Sequence, residues 1–226
     1  MTFQHDRFTF PKLQQRNLEE GRVYEVVGTN ERYPSITRVL GARPKPGLDE
    51  WKKRVGPQEA ARISHLSTSR GTSLHALAEH YLNNEDISLE GADYTVCEYW
   101  TRLSAWIDAH LRIVHAQEQD VYSKRLRVAG RMDLLATVDG ELSVVDFKTS
   151  RKPKQEKYIT DYYLQGCFYA LSVFEQTGQK VTRIIFPIVS PEGLQIFETT
   201  PAAHYTTLRH RINEYYEVYH EGTAHA

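Results

Sequence analysis

Asp146 and Lys148 interrupt an otherwise apolar stretch, "ELSVVDFKTS" at 141–150. In an extended chain, residues two apart point to the same side, so these opposite charges sit next to each other. Burying them among Leu142, Val144, Val145 and Phe147 costs several kcal/mol unless a partner or a metal compensates. A second carboxylate is within reach. Asp139-Gly140 has the composition of a two-residue hairpin turn, and if Val138 faces Glu141, the same register puts Asp133 opposite Asp146. Their Cβ atoms would then be about 4.5–5.5 Å apart. Facing carboxylates repel in a plain sheet, whereas a divalent cation between them turns repulsion into binding, and oxygen ligands suit magnesium or manganese. Lys148 can position a water or stabilise charge developing on a phosphate oxygen. These parts suit metal-assisted phosphodiester hydrolysis. The plainer alternative is an exposed hairpin with a surface Asp-Lys pair and an unrelated Asp133.

The elements that must position these residues can be read from periodicity. Helices are expected from Asp49 to about Ser64 and from Thr68 to about Leu82, the second with Leu74, Leu77, Ala78 and Tyr81 on one face. A third should run from Tyr94 to about His115. The period then changes: "DVYSKRLRV", "RMDLLATV" and "ELSVVDFK" read as strands. Residues 157–176 return to helix, "VTRIIFPIVS" and "GLQIFETT" are strands around Pro191-Glu192-Gly193, and 202–219 form a last helix. This order predicts an α/β fold with a central mixed β-sheet flanked by helices. Residues 1–47, short extended pieces closed by "GARPKPG", read as an N-terminal arm, and 48–226 as a single domain.

Composition sets outer bounds. With 226 residues, 40% apolar and 25% charged, the chain can enclose a core, and no apolar run reaches the ~20 residues of a membrane span. A net charge of -1 removes the global basic excess of a non-specific nucleic-acid coat protein, so phosphate binding must be local. Basic clusters occur at Lys52, Lys53 and Arg54, at Lys124, Arg125 and Arg127, and at Lys148, Arg151, Lys152 and Lys154; each alone reads as solvated surface. Cys97 and Cys167 are too isolated for a zinc ribbon or an iron-sulfur cluster, which suits a reducing compartment. "MTFQHDRFTF" has neither a secretory nor an organelle-import pattern, so the expected location is cytoplasmic.

Four motifs in order carry a family resemblance. "GRMDLL" (130–135) and "VVDFKTS" (144–150) resemble the GxxD and (D/E)xK motifs of the PD-(D/E)XK nucleases. "RGTSLHALAEHYL" (70–82) is similar to the metal-binding His helix of their RecB-like branch, and "LQGCFYAL" to its QxxxY motif. "YPSITRVLGA", "LDEWKKR" and the placement of Glu118 before Gly130 are similar to the genome-maintenance exonucleases of that branch, a group with mitochondrial, phage and bacterial members.

The resemblance implies a restriction-endonuclease-like core in which His75, Asp133, Asp146 and the Phe147 carbonyl hold Mg2+ or Mn2+. Lys148 would position the attacking water, with Gln165 and Tyr169, one helical turn apart, orienting Lys148 and the scissile phosphate. Arg70, Thr72, Thr149, Ser150 and Arg151 are candidate phosphate donors. Glu79 is a supporting base or a surface charge. Glu118 either supports the site or forms a structural salt bridge with Arg125 or Arg131. Tyr33, Trp51, Tyr162 and Tyr163 are candidate platforms for unpaired bases, and Trp100 and Trp106 are expected in the core. The implied activity is a metal-dependent DNA exonuclease acting on single-stranded ends or flaps in phage or bacterial replication, recombination or DNA degradation, working beside the proteins of those processes. An endonuclease of the same fold and a non-cutting nucleic-acid binding module are the alternatives.

Overall fold

The computed structural model describes residues 2–19 and 21–219. The stretch expected to be an arm is built into the fold. β1 (Gln4–His5) pairs in parallel with an edge of the main sheet, while β2 (Leu13–Leu18), β3 (Gly21–Val26) and β4 (Arg32–Pro34) make a small antiparallel sheet. α1 (Ile36–Gly41) follows, its start capped by the Ser35 hydroxyl, which accepts from the Arg38 N–H, and Ile36, Val39 and Leu40 are buried.

Two helix boundaries differ from expectation. α2 (Pro46–Val55) and α3 (Pro57–Leu82) break at Gly56, φ +85°, and not between 64 and 68. Pro57 at the first helical position is pre-set for a helix start, and that outweighs the weak apolar pattern of the Ser/Thr-rich stretch. α4 (Tyr94–His110) stops short of His115 because Arg112 caps it, donating to the carbonyls of Asp108, Ala109 and Leu111. The following residues enter β5 (Leu111–Ser123), longer than expected, where Ile113 and Val114 favour extended backbone.

β5 turns through 124–127, with Arg127 at φ +56°, into β6 (Val128–Val138). Asp139 (φ +50°) and Gly140 (φ +86°) then make the tight turn to β7 (Glu141–Val145). The expected register holds from Val138 against Glu141 to Leu134 against Val145 and stops there. Asp146 and Phe147 fall between β7 and the short β8 (Lys148–Thr149), both of which pair in parallel with β9 (Arg183–Ser190). Pro187 explains the gap. The Asp146 N–H donates to the Ile185 carbonyl, and the complementary bond of a parallel ladder would need an N–H at residue 187, which proline lacks.

α5 (Thr160–Thr177) precedes β9, and β10 (Gly193–Thr199) and α6 (Pro201–Tyr219) complete the chain. The seven-stranded mixed sheet runs β1-β5-β6-β7-β9-β10, with β8 on β9. α3 and α4 cover one face through Leu74, Leu82, Leu103 and Ile107; α1, α5 and α6 cover the other through Ile36, Leu164, Phe168 and Leu208. Trp100 and Trp106 lie in the first layer, as expected.

α5 lies close on the sheet at Gly166, where an added Cβ would collide with Ile184 and come within 2.9 Å of the Phe186 ring. Gly166→Ala should therefore lower stability by roughly 1–3 kcal/mol, the usual cost of overpacking. Urea denaturation checks this, with a lower midpoint at unchanged slope as the expected result.

Candidate metal centre and nucleic-acid cleft

The two-residue alternation survives the break between β7 and β8. Val145 and Phe147 pack toward α3 and α4, Val144 toward α5, so Asp146 and Lys148 share the α5 side. Lys148 Nζ lies against Asp146 Oδ2 and 5.4 Å from the Tyr162 ring centroid. Asp146 is 0% exposed, and neither carboxylate oxygen has a hydrogen-bond partner among the described residues. The lysine contact supplies charge without hydrogen-bond geometry, which leaves acceptor capacity unused in a place where that is expensive.

Asp133 reaches the same spot from β6. Its Oδ2 accepts from the Phe147 N–H at 2.9 Å, so the carboxylate fills the place where the ladder bond would have continued. On its other side, β5 and β6 pair Gln117 with Leu134 and Gln119 with Met132, so Glu118 stands level with Asp133. Glu118 has φ +42°, a conformation that is unfavourable for a side-chain-bearing residue and is found at functional sites. Glu118 and Asp133 of neighbouring strands thus line up, while Asp146, expected opposite Asp133, lies past the end of the β6–β7 ladder and acts on Asp133 through its charge.

α3 brings His75 over this row. Its Nε2 donates to the Phe147 carbonyl at 2.9 Å, which turns Nδ1 toward Asp133 Oδ2 at 3.5 Å and Glu118 Oε1 at 3.9 Å. A backbone carbonyl holding one ring nitrogen while the other faces acids is how a protein fixes a ligating imidazole. The Phe147 carbonyl keeps a second lone pair for a cation. Donor atoms of His75, Glu118 and Asp133 all lie within 4.8 Å of one another. This mixed set of carboxylate, carbonyl and imidazole donors, with the charge of buried Asp146 acting on Asp133 and His75, fits a hard divalent cation.

Electrostatics agrees. Burial and the neighbouring Asp146 push Asp133 up to about 7. Burial pulls His75 down, but Asp133 and Glu118 outweigh it and raise it to about 9. Lys148 is lowered by burial and lifted more by Asp146 and Asp133, so it ends above its ordinary value. At neutral pH the metal-free site therefore holds a proton on His75. Cation binding must expel it, so affinity should rise as pH approaches about 9. The metal-free fold behaves oppositely: a raised His75 stabilises fully below about 6.5, and that contribution is lost as pH rises through about 9. Magnesium titration by calorimetry in buffers of different ionisation enthalpy should show proton release below pH 9.

Gln165 and Tyr169 come together behind the carboxylates. Gln165 Nε2 donates to the Tyr169 hydroxyl at 2.8 Å, and the tyrosine, 1% exposed, touches no solvent from which a phosphate could approach. It supports the site from within the core, where burial and then Asp146 and Asp133 raise it well above its usual value. Gly130 packs tightly here, since a Cβ would come within 3.0 Å of Ile36 and 3.1 Å of the Tyr169 ring.

The expected phosphate donors separate. Arg70, Thr149, Ser150 and Arg151 line a cavity of about 670 Å³ that starts one residue after Lys148, together with Trp51, Arg54, Lys152, Lys154 and Tyr158; His75, Glu118, Asp133, Asp146 and Lys148 do not line it. Arg70 is tied to Asp93 at 3.4 Å with its Nε unpartnered, and the Ser150 hydroxyl is committed to the Lys152 carbonyl. Thr72 and Glu79 lie elsewhere, in a cavity of about 380 Å³ with His75 and Glu118. Glu118 does not pair with Arg131, which is taken bidentately by Asp120. Of the candidate stacking residues, Tyr33 is buried against Tyr122 and Tyr163 against His204; Trp51 lines the basic cavity and Tyr162 sits under Lys148. Arg54, Lys152 and Lys154 were readable only as charge clusters, because nothing local says that α2 and the 150–155 loop face each other.

A cluster of acids on the central sheet with an adjacent buried lysine, followed along the chain by the basic residues of a neighbouring cavity, is the working layout of a phosphodiester-cleaving class of proteins. The PD-(D/E)XK nuclease superfamily profile matches residues 50–225, and the chain belongs to that superfamily. It is also 30% identical over 129 residues to mouse (Mus musculus) mitochondrial genome maintenance exonuclease 1, a match covering 54% of this chain and 38% of that protein. A solved structure titled "Crystal structure of SSO0001" aligns with 86% of this chain and 79% of its own, at TM-score 0.47 and 15% identity. Members of the superfamily use divalent metals, in keeping with the acidic and histidine cluster.

Proposed function

We propose that this protein is a metal-dependent DNA exonuclease acting on single-stranded ends or flaps, with Mg2+ or Mn2+ as cofactor. The observation that carries the reading is Asp146, wholly buried, with Lys148 against one of its oxygens and close enough to Asp133 for their charges to act on each other. His75, Glu118, Asp133, Asp146 and the Phe147 carbonyl would hold the cation. The chemistry supplied there by magnesium or manganese is charge neutralisation at the scissile phosphate and acidification of the attacking water. Lys148 is held above its ordinary pKa by Asp146 and Asp133 and so is an ammonium in the metal-free site; the attacking water would lose its proton to bulk solvent. The Lys148 ammonium donates to the attacking oxygen and the phosphate, holding them in line. Tyr162 beneath it and Tyr169 with Gln165 behind the carboxylates fix these groups. Arg54, Arg70, Arg151, Lys152 and Lys154 draw the strand into the cavity, where Trp51 and Tyr158 offer ring faces to unpaired bases.

The exonuclease direction of the mouse relative's name supports action from an end. A setting in phage or bacterial replication, recombination or DNA degradation, in the cytoplasm and beside the proteins of those processes, belongs to the same proposal. Among the described residues no helix is long and apolar enough to cross a membrane. Digestion of 5′- and 3′-labelled single-stranded, duplex and flap DNA, with circular single strands as control, tests the reading. Degradation of linear single strands with magnesium, blocked by chelator, is expected; cutting of circles would make the enzyme an endonuclease, and no cutting at all would defeat the proposal.

A further inference from the structure

The basic cluster Lys124, Arg125 and Arg127 has no part in the cleft described above. It forms the β5–β6 turn, at the opposite end of β6 from the hairpin. Arg125 and Arg127 join Arg209 and Asn213 of α6 around a cup of about 240 Å³. All three arginines are exposed, and none has a carboxylate within ion-pair distance among the described residues. Among the described residues, Glu217 is the one acid lining the cup.

The arginines are nevertheless held in place. The Arg127 guanidinium stands 4.5 Å from the Tyr216 ring centroid, the Tyr216 hydroxyl donates to the Arg127 carbonyl, and Arg209 stands 5.7 Å from the Tyr205 ring centroid. Glu175 accepts from the turn N–H groups of Lys124 and Arg125, and its other oxygen accepts from Ser123, which fixes the turn from below. Stacked guanidiniums keep their edge donors free for bidentate contact with an oxyanion and lose less side-chain entropy on binding.

We propose that this arginine cup is a second phosphate-contact site for the nucleic-acid substrate, an inference that rests on the nuclease reading. Arg127 adjoins the first residue of β6 and Asp133 lies six residues further along, a rise of about 20 Å. β6 thus carries Asp133 and starts at the cup. A strand held at both points would be kept in register while its end is cut. The cup's chemistry favours a phosphate chain over a protein partner. A protein interface needs an exposed apolar centre, and the apolar lining here is half-buried Leu126, buried Ile212 and the half-buried Tyr216 ring, which Arg127 covers.

The test is the triple variant Arg125→Gln/Arg127→Gln/Arg209→Gln beside its Arg→Lys counterpart. Binding of a long single-stranded oligonucleotide, measured by anisotropy with calcium in place of magnesium, reads the cup even if no hydrolysis is found. Removing three contacts should weaken binding on the order of tenfold and flatten the log–log salt slope by about 2. The lysine variant should keep most of the slope. Hydrolysis of thymidine 5′-p-nitrophenyl phosphate, too small to reach the cup, should be unchanged in both; its absence in the parent protein would count against the nuclease reading alone. An unchanged salt slope in a folded glutamine variant would overturn the proposal, as would a poly-glutamate peptide binding the cup while DNA affinity stays the same.

Discussion

Asp146→Asn should lower DNA hydrolysis at least ~10³-fold, about 4 kcal/mol of transition-state stabilisation, while leaving the protein folded. The side chain keeps its shape and loses its charge. The amide gives up the ion pair with Lys148 and keeps the volume of the buried side chain. What disappears is one anion of the acidic row and the counter-charge of Lys148. Magnesium affinity should fall with the activity, because a cation then meets Asp133 and Glu118 without the third carboxylate. Calorimetric titration, thermal melting and a labelled-strand assay would be read together. Activity within tenfold of the parent would sink the assignment of Asp146 to the site.

Lys148→Met is the contrasting case, with an equally large loss of activity and the opposite effect on the metal. Removing a cation that lies against Asp146 leaves more negative potential for magnesium, so affinity should tighten even as turnover falls ~10³-fold or more. Stability of the metal-free protein should drop by roughly 3–5 kcal/mol, the usual result of stripping one partner from a buried pair, and magnesium should restore much of it. Melting temperatures with and without magnesium separate these effects. Weaker metal binding in this variant would mean that Lys148 organises the ligands and does not compete with the cation.

Much of the site was legible in sequence because it depends on short-range rules. The Asp139-Gly140 turn fixes the β6–β7 register, and two-residue alternation puts Asp146 beside Lys148. Helical spacing puts Gln165 against Tyr169. Glu118 reads in sequence as either a supporting residue or a salt-bridge partner, since periodicity carries the third helix to His115 and starts the next strand at Asp120. Once Arg112 ends α4 and β5 starts at Leu111, Glu118 lies within a strand, level with Asp133.

By itself the sequence determined the family, the mixed α/β class, the hairpin register and the acid–lysine alternation, because backbone period and turn chemistry act over a few residues. Tertiary structure alone decided the rest. Pro187, forty residues downstream of Phe147 on β9, opens the ladder at Asp146. α3 sets His75 on the Phe147 carbonyl only because Leu74, Ala78 and Leu82 bury their side of that helix against α4 and the sheet. α2 and the 150–155 loop meet across one basic cavity, and the β5–β6 turn meets α6 at the arginine cup. These approaches join residues far apart in the chain, and it is the burial of apolar faces, not local preference, that fixes them.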